Sequence, residues 1–169
     1  MHPRECSILR LRQRKVSVRR IGVCAAVLLL GSLVHAAEPP SPKTCQPTRS
    51  DALGPFYKPD APLRAEVGEG YVLQGVVRSA ANCQPLPNAV VEFWLAGPDG
   101  RYHDAYRARV MSEANGYYTF ESHVPAPYSG RPSHIHMRVT AAHHRILVTQ
   151  HYPTAGQSRA TFDLVLRPQ

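Results

Sequence analysis

The sequence predicts an all-β chain: a β-sandwich over residues 68–169, reached through a proline-rich arm over 37–67, with few or no helices. Three observations carry this. Six short runs from Tyr71 onward are rich in β-branched and aromatic residues, which suit a half-buried pleated surface. Turn signals punctuate them at close spacing: Gly68-Glu69-Gly70, Asn82 to Pro87, Pro98-Asp99-Gly100, Asn115-Gly116 and Ser129-Gly130. No stretch of ten or more residues places its apolar side chains at helical spacing. Short strands divided by turns bury one face each when two sheets stack, and the sixteen prolines belong in the loops and edges of such a fold.

The expected strands, in order, are Tyr71–Val77, Val90–Leu95, Tyr117–Phe120, His134–Val139, Ile146–Tyr152 and Thr161–Leu166. The arm before them is polar and proline-rich, without a helical period, and is expected to be ordered or semi-ordered against the sandwich. Residues 1–36 belong to neither part. Six arginines and Lys15 between Arg4 and Arg20 precede an apolar run from Ile21 to Val34, and Ala36-Ala37 closes it. That is the charged, apolar and small-residue order of a secretory signal peptide. The run has fourteen residues, short of the roughly 20 that span a bilayer, so an exported chain without stable membrane insertion is expected rather than an anchored one. Arg19-Arg20 also permits twin-arginine export.

Removing that segment changes what charge implies. The whole chain carries twenty Lys and Arg against twelve Asp and Glu, a formal net of +8. Seven of the bases and Glu5 lie in residues 1–36, which leaves thirteen bases and eleven acids, a net of +2. No basic stripe remains, and nucleic-acid binding is not implied. Cysteine usage agrees with export. Cys6 and Cys24 leave with the signal, and the remaining Cys45 and Cys83 are expected to form one disulfide, with two buried thiols as the alternative.

The chemistry concentrates in Arg131-Pro132-Ser133-His134-Ile135-His136-Met137-Arg138-Val139. Side chains alternate along a strand, so His134, His136 and Arg138 share one face while Ile135, Met137 and Val139 share the other. The apolar face suits a core, and two imidazoles on the opposite face suit a metal. Tyr102, after the Pro98-Asp99-Gly100 turn, and Tyr128, in the rigid Pro125-Ala126-Pro127-Tyr128 segment, flank this strand in sequence. A tyrosine in such places ordinarily packs or lies at the surface. Two of them beside a His-x-His strand supply two phenolate oxygens and two neutral imidazoles. Hard oxygen donors favour a hard, highly charged ion, which ferric iron satisfies better than zinc or cuprous copper, and its charge would deprotonate phenols that otherwise titrate near 10. Tyr106 is a rival to Tyr102. His103, His123, His143, His144 and His151 read as loop or strand-edge residues.

At these residues the chain resembles the intradiol ring-cleavage dioxygenases, the catechol and protocatechuate 3,4-dioxygenase group. The matching pieces run in order: Thr48 to Tyr57 with its Gly54-Pro55-Phe56-Tyr57 end, Gly75 to Trp94, Gly100-Arg101-Tyr102-His103, Asn115 to Phe120, Pro127-Tyr128, the Arg-Pro-x-His-x-His signature from Arg131, and Val148-Thr149-Gln150. The resemblance implies a non-haem Fe(3+) held by Tyr102, Tyr128, His134 and His136. Its reaction opens a catechol-type ring between the two hydroxyl-bearing carbons with dioxygen. It implies Tyr128 as the labile ligand and base, Arg131 as the cation that stabilises charge on the ring, Gln150 as an orienting residue, and Leu53, Gly54 and Pro55 as one wall of the substrate pocket. Two departures bear on that wall. Only five residues separate Tyr128 from His134, fewer than in the classical enzymes, and no tryptophan follows Tyr128, so a more open site is expected. The pieces include no counterpart of the helical dimerisation region of catechol-type members, which leaves a homo-oligomer open. The alternative is a non-catalytic sandwich module of the carboxypeptidase-regulatory or transthyretin-like kind, which the Gly75–Phe120 portion also resembles. A copper/zinc superoxide dismutase-like site would need further histidines in a pattern that does not occur.

Overall fold

A computed structural model describes residues 45–169. The expected signal segment and the first residues of the arm lie outside the described residues. Eight strands form: β1 Tyr71–Ser79, β2 Val90–Ala96, β3 Tyr102–Met111, β4 Tyr117–Ser122, β5 Ile135–Thr140, β6 Leu147–His151, β7 Arg159–Thr161 and β8 Leu164–Leu166. There is no helix among the described residues. One sheet runs β4-β1-β7, with β8 also paired to β1, and the other runs β3-β2-β5-β6.

Period-two burial builds the core between them. Along β1, buried and half-buried residues alternate from Tyr71 to Ser79. Tyr71, Leu73 and Val77 from that strand meet Val91, Phe93 and Leu95 from β2 and Ile135, Met137 and Val139 from β5, all fully buried. Phe93 and Phe120 stack between the sheets with centroids 4.1 Å apart. Each such side chain contributes about 1.5–3 kcal/mol on leaving water.

The strands depart from expectation in two places. The run Thr161–Leu166 is two strands, because Asp163 interrupts it: its Oδ1 accepts the Val76 N–H at 2.9 Å, taking a ladder position that a backbone carbonyl would otherwise fill. β3 has no counterpart among the expected strands. It is a sheet edge, and exposed His103, Asp104 and Arg109 mask its alternation, the charged composition that protects edges from further pairing.

β2 is buried on both faces from Val91 to Ala96, which a two-layer sandwich alone does not require. The arm supplies the third layer. Cys45 is disulfide-bonded to Cys83, and its N–H donates to the Ala80 carbonyl. The arm then crosses the outer face of the second sheet. The Asp51 N–H donates to Val148 O on β6, and Arg107 on β3 donates to the Lys58 and Pro59 carbonyls. Reciprocal backbone bonds between Pro62, Arg64 and Arg109, and between Ala65, Val67 and Glu121, carry it on to β4. Residues 45–67 are therefore a strap over the face that carries the histidines.

Candidate metal centre

The register across the second sheet puts Trp94, His136 and Gln150 in one row, since Trp94 pairs with His136 and His136 with Gln150. His134 and His136 point away from the core, as their spacing predicts, yet both are buried because the strap covers them. His136 lies flat against the Trp94 ring, at 4.9 Å and 6°. On the other side Gly54 presses on the imidazole: a Cβ at that position would stand 2.9 Å from His136 Cε1, and Gly54 has φ +74°. Only glycine brings the strap so close in that conformation.

Tyr102 reaches the same face through an irregularity. Trp94 pairs with Arg107 and Ala96 with Tyr102, so two steps along β2 match five along β3. The odd number reverses the facing of β3 beyond the bulge, and such bulges re-aim side chains. Tyr102 thereby joins the histidines. Tyr106 falls on the opposite side, packed against Gly97 and 4.9 Å from the His123 ring, and contributes nothing to the site.

Tyr128 and Arg131 bracket a tight turn. The Arg131 N–H donates to the Tyr128 carbonyl at 2.8 Å, and Ser129 and Gly130 between them have φ +48° and +74°, the two positive values of a type I′ turn. The short segment before His134 thus closes on itself and presents Tyr128 beside the imidazoles.

Two imidazoles and a phenol meet, with the Tyr128 ring beside them. His134 Nε2 and His136 Nε2 are 3.2 Å apart, and Tyr102 Oη is 3.3 Å from His134 Nε2. The Tyr128 ring lies 5.3 Å from the Tyr102 ring and 5.7 Å from the His134 ring, centroid to centroid. His134 Nδ1 lies 2.7 Å from the Pro132 carbonyl. A carbonyl only accepts, so Nδ1 carries the proton and Nε2 offers its lone pair. His136 Nδ1 is buried without a hydrogen-bond partner. Burial, then His134 and Arg131, pushes His136 down to about 4, and burial likewise lowers His134. Both imidazoles are neutral at neutral pH and available as ligands. Burial, followed by the neighbouring Tyr128 phenol, holds Tyr102 well above the ordinary phenol range, so Tyr102 ionises only if a cation is supplied.

These groups fit a single metal ion. Two nitrogens each about 2.1 Å from one ion and cis to each other stand roughly 3 Å apart, close to the His134–His136 separation. Without an ion, a His136 Nε2–H can donate to the His134 Nε2 lone pair at that distance; with one, both Nε2 lone pairs can face it. Among the described residues no cluster of three His, Cys, Asp or Glu side chains forms, so the donor set is two imidazoles with two phenols, which suits a hard trivalent ion such as Fe(3+).

The remaining predicted residues divide. Arg131 and Gln150 meet, Nη2 to Oε1 at 2.7 Å. Leu53 lies exposed on the strap next to Gly54. Pro55 borders a separate cavity of about 120 Å³ with Phe56, Trp94, Tyr102 and Arg107, which neither His134 nor His136 lines. Sequence reasoning passed over Phe56, Trp94, Asp51 and Tyr152 as site residues. Phe56 stacks on Tyr102 at 4.3 Å and meets Tyr128 edge-on at 5.8 Å. Its position in the Gly54–Tyr57 motif, one residue beyond Pro55, was the available signal. Four other histidines have structural partners: His103 with Asp99, His123 with the Ala96 carbonyl, His144 with Ser79 and His151 with Tyr71.

A sandwich that gathers two tyrosines and two histidines under a strap defines a metal-centre class, and the comparisons give its family. Residues 58–166 match the Dioxygenase family model, and the chain belongs to the intradiol ring-cleavage dioxygenases. It is similar to the dioxygenase domain of a dioxygenase–carbohydrate-binding protein fusion from Streptomyces sp. SirexAA-E, with 30% identity and a TM-score of 0.66 over 73% of this chain and 100% of that one. An intradiol ring-cleavage dioxygenase from Tetranychus urticae shares the fold, with a TM-score of 0.67 over 73% of this chain and 96% of that one at 15% identity. A chlorocatechol 1,2-dioxygenase from a Pseudomonas species is 27% identical over 78% of this chain and 65% of its own length. The chain spans 46% and 56% of two further curated relatives.

Proposed function

We propose that this chain is a non-haem ferric-iron dioxygenase that opens the ring of a catechol-type aromatic between its two hydroxyl-bearing carbons, with dioxygen as co-substrate. The observation that supports the reading is the grouping of the Tyr102 hydroxyl and the His134 and His136 imidazoles through contacts of 3.2 and 3.3 Å, with the Tyr128 ring packed beside them and both imidazoles neutral. Bound there, ferric iron would draw electron density from a catecholate so that dioxygen reacts with the ring itself.

The chain's own groups have distinct tasks. Tyr102 is clamped by the Phe56 ring and keeps its place. Tyr128, half-buried beside a tight surface turn, would be held as a phenolate by the ferric ion, and that phenolate, free to swing out, can take a substrate proton on its Oη, which makes it the base. Arg131 places a fixed cation near the reacting ring, where it stabilises developing charge on the substrate oxygens. Leu53 and Phe56, both about two-fifths exposed on the strap, offer an apolar and aromatic surface that suits a planar aromatic ring.

We also propose that the protein works outside the cytoplasm. The signal-like pattern of residues 1–36 and the Cys45–Cys83 disulfide support this.

Oxygen uptake by iron-loaded protein, measured over catechol, protocatechuate, hydroxyquinol and chlorocatechols, tests the activity. At least one should be consumed with one dioxygen per ring and yield an open-chain dicarboxylic acid. Stoichiometric iron with no uptake on any of them would defeat the proposal.

A further inference from the structure

Tyr152 and Asp51 lie beside the metal centre and belong to neither the donor set nor the substrate wall. Asp51 is on the strap and Tyr152 follows β6. Tyr152 Oη lies 2.9 Å from Asp51 Oδ2, 2.9 Å from Gln150 Oε1 and 3.4 Å from Arg131 Nη2. Gln150 Oε1 accepts from Arg131 Nη2 at 2.7 Å, and Gln150 Nε2 donates to the Ala52 carbonyl at 2.6 Å. Asp51 Oδ1 accepts the Ala52 N–H at 2.6 Å, and the Asp51 N–H donates to Val148 O at 2.9 Å. The bonds close a ring of strap, carboxylate, phenol, amide and strap again, and the Arg131 guanidinium is held on the amide and phenol of that ring.

Two physical consequences follow. The Asp51 carboxylate feels the Arg131 charge, yet the Tyr152 phenol bonds to both and no direct ion pair forms between them. Arg131 therefore keeps its charge for the site while one edge of its fork is fixed. In addition, the ring sits two residues before Gly54, at the place where the strap turns down onto His136. Burial alone would raise Asp51, but the Ala52 N–H, the Tyr152 hydroxyl and the Arg131 charge outweigh it and hold the carboxyl low, so the ring contains a charged acceptor at neutral pH, the stronger kind of hydrogen-bond partner.

We propose that Tyr152 and Asp51 are positioning residues: they fix the Arg131 guanidinium through Gln150 and, with the same bonds, latch the strap over the metal centre. The inference deepens the proposed activity and rests on it for the role of Arg131, whereas the latch does not depend on it.

Two measurements on the full chain test it. In Tyr152→Phe, which keeps the ring and removes the hydroxyl, kcat should fall about tenfold with KM for the catechol changed less than twofold, because a group acting on the transition state is mispositioned. In an Arg131→Lys background, where the fork is already gone, the same change should cost less than twofold. Amide hydrogen exchange over residues 49–56 of metal-free protein should accelerate about fivefold in Tyr152→Phe and in Asp51→Asn, as expected for loss of one hydrogen bond, with residues 58–67 unchanged. An equal loss of kcat in both backgrounds would make Tyr152 a general structural residue and overturn its positioning role. Unchanged exchange over 49–56 would overturn the latch. Iron-loaded wild-type protein that cleaves no catechol would defeat the functional reading, while the exchange measurement, which needs neither iron nor substrate, would still decide the latch.

Discussion

Replacing Gly54 with alanine perturbs the site through a single methyl group. At φ +74° an L-residue costs about 1–2 kcal/mol. The new Cβ would also meet His136 Cε1 at 2.9 Å and Nε2 at 3.3 Å, and neither side yields freely. The imidazole is backed by the Trp94 ring at 4.9 Å. The strap is tied down before Gly54 by the Asp51 and Ala52 bonds to β6 and after it by Arg107. Overpacking of this kind costs about 1–3 kcal/mol, which gives roughly 2–5 kcal/mol in all. Gly156→Ala is the control, since Gly156 has φ +80° with nothing within 4 Å of its would-be Cβ, so only the backbone penalty of about 1–2 kcal/mol applies. Urea denaturation of the two variants should differ by about 1–3 kcal/mol, and Gly54→Ala alone should lose iron stoichiometry and visible absorbance as His136 is displaced. Equal stability of the two variants, with full iron in both, would refute the close approach of the strap.

Three further outcomes are expected. Replacing Cys45 and Cys83 together by serine opens a link with a sequence separation of 38 and should lower stability by about 4 kcal/mol in the chain-entropy account, with the urea midpoint of the wild type falling similarly under reductant. Metal-free protein should lose stability as pH falls from about 6.5, where an unfolded histidine titrates, toward about 4, where the folded His136 does. Burial keeps that imidazole neutral while the unfolded chain takes up the proton, so urea midpoints should be lower at pH 5 than at pH 7.5, and His136→Gln should flatten the difference. Phe56→Ala removes the stack on Tyr102 at 4.3 Å, an aromatic contact of about 0.5–1.5 kcal/mol beyond its burial; the variant should be less stable in urea, and KM for the aromatic substrate should rise more than kcat falls.

The sheets were legible where alternation is clean. β1, β2, β4, β5 and β6 lie within two residues of their expected runs at most ends, because each presents an apolar face to one core. β3 was not legible. Its outer half is charged and its ladder slips by an odd number of residues, so no single period describes it, and the same slip is what separates Tyr102 from Tyr106. The His134–His136 face could be read from spacing alone, since parity on a regular strand needs no tertiary information. The strap could not. Residues 45–67 lack a period, and their order comes from backbone bonds to β6, β3 and β4 and from the disulfide, partners far away in sequence. For the same reason Tyr152 and Asp51, about a hundred residues apart, gave no sign of meeting.

Visible and resonance Raman spectroscopy of the iron-loaded protein, side by side with Tyr102→Phe and Tyr128→Phe, tests the metal centre most directly. Tyrosinate bound to ferric iron should colour the wild type burgundy, with tyrosine ring modes enhanced under excitation in the visible band, and each substitution should weaken or shift that band. A colourless protein with one iron per chain, or a colour untouched by both substitutions, would contradict the assignment of the two phenols as ligands.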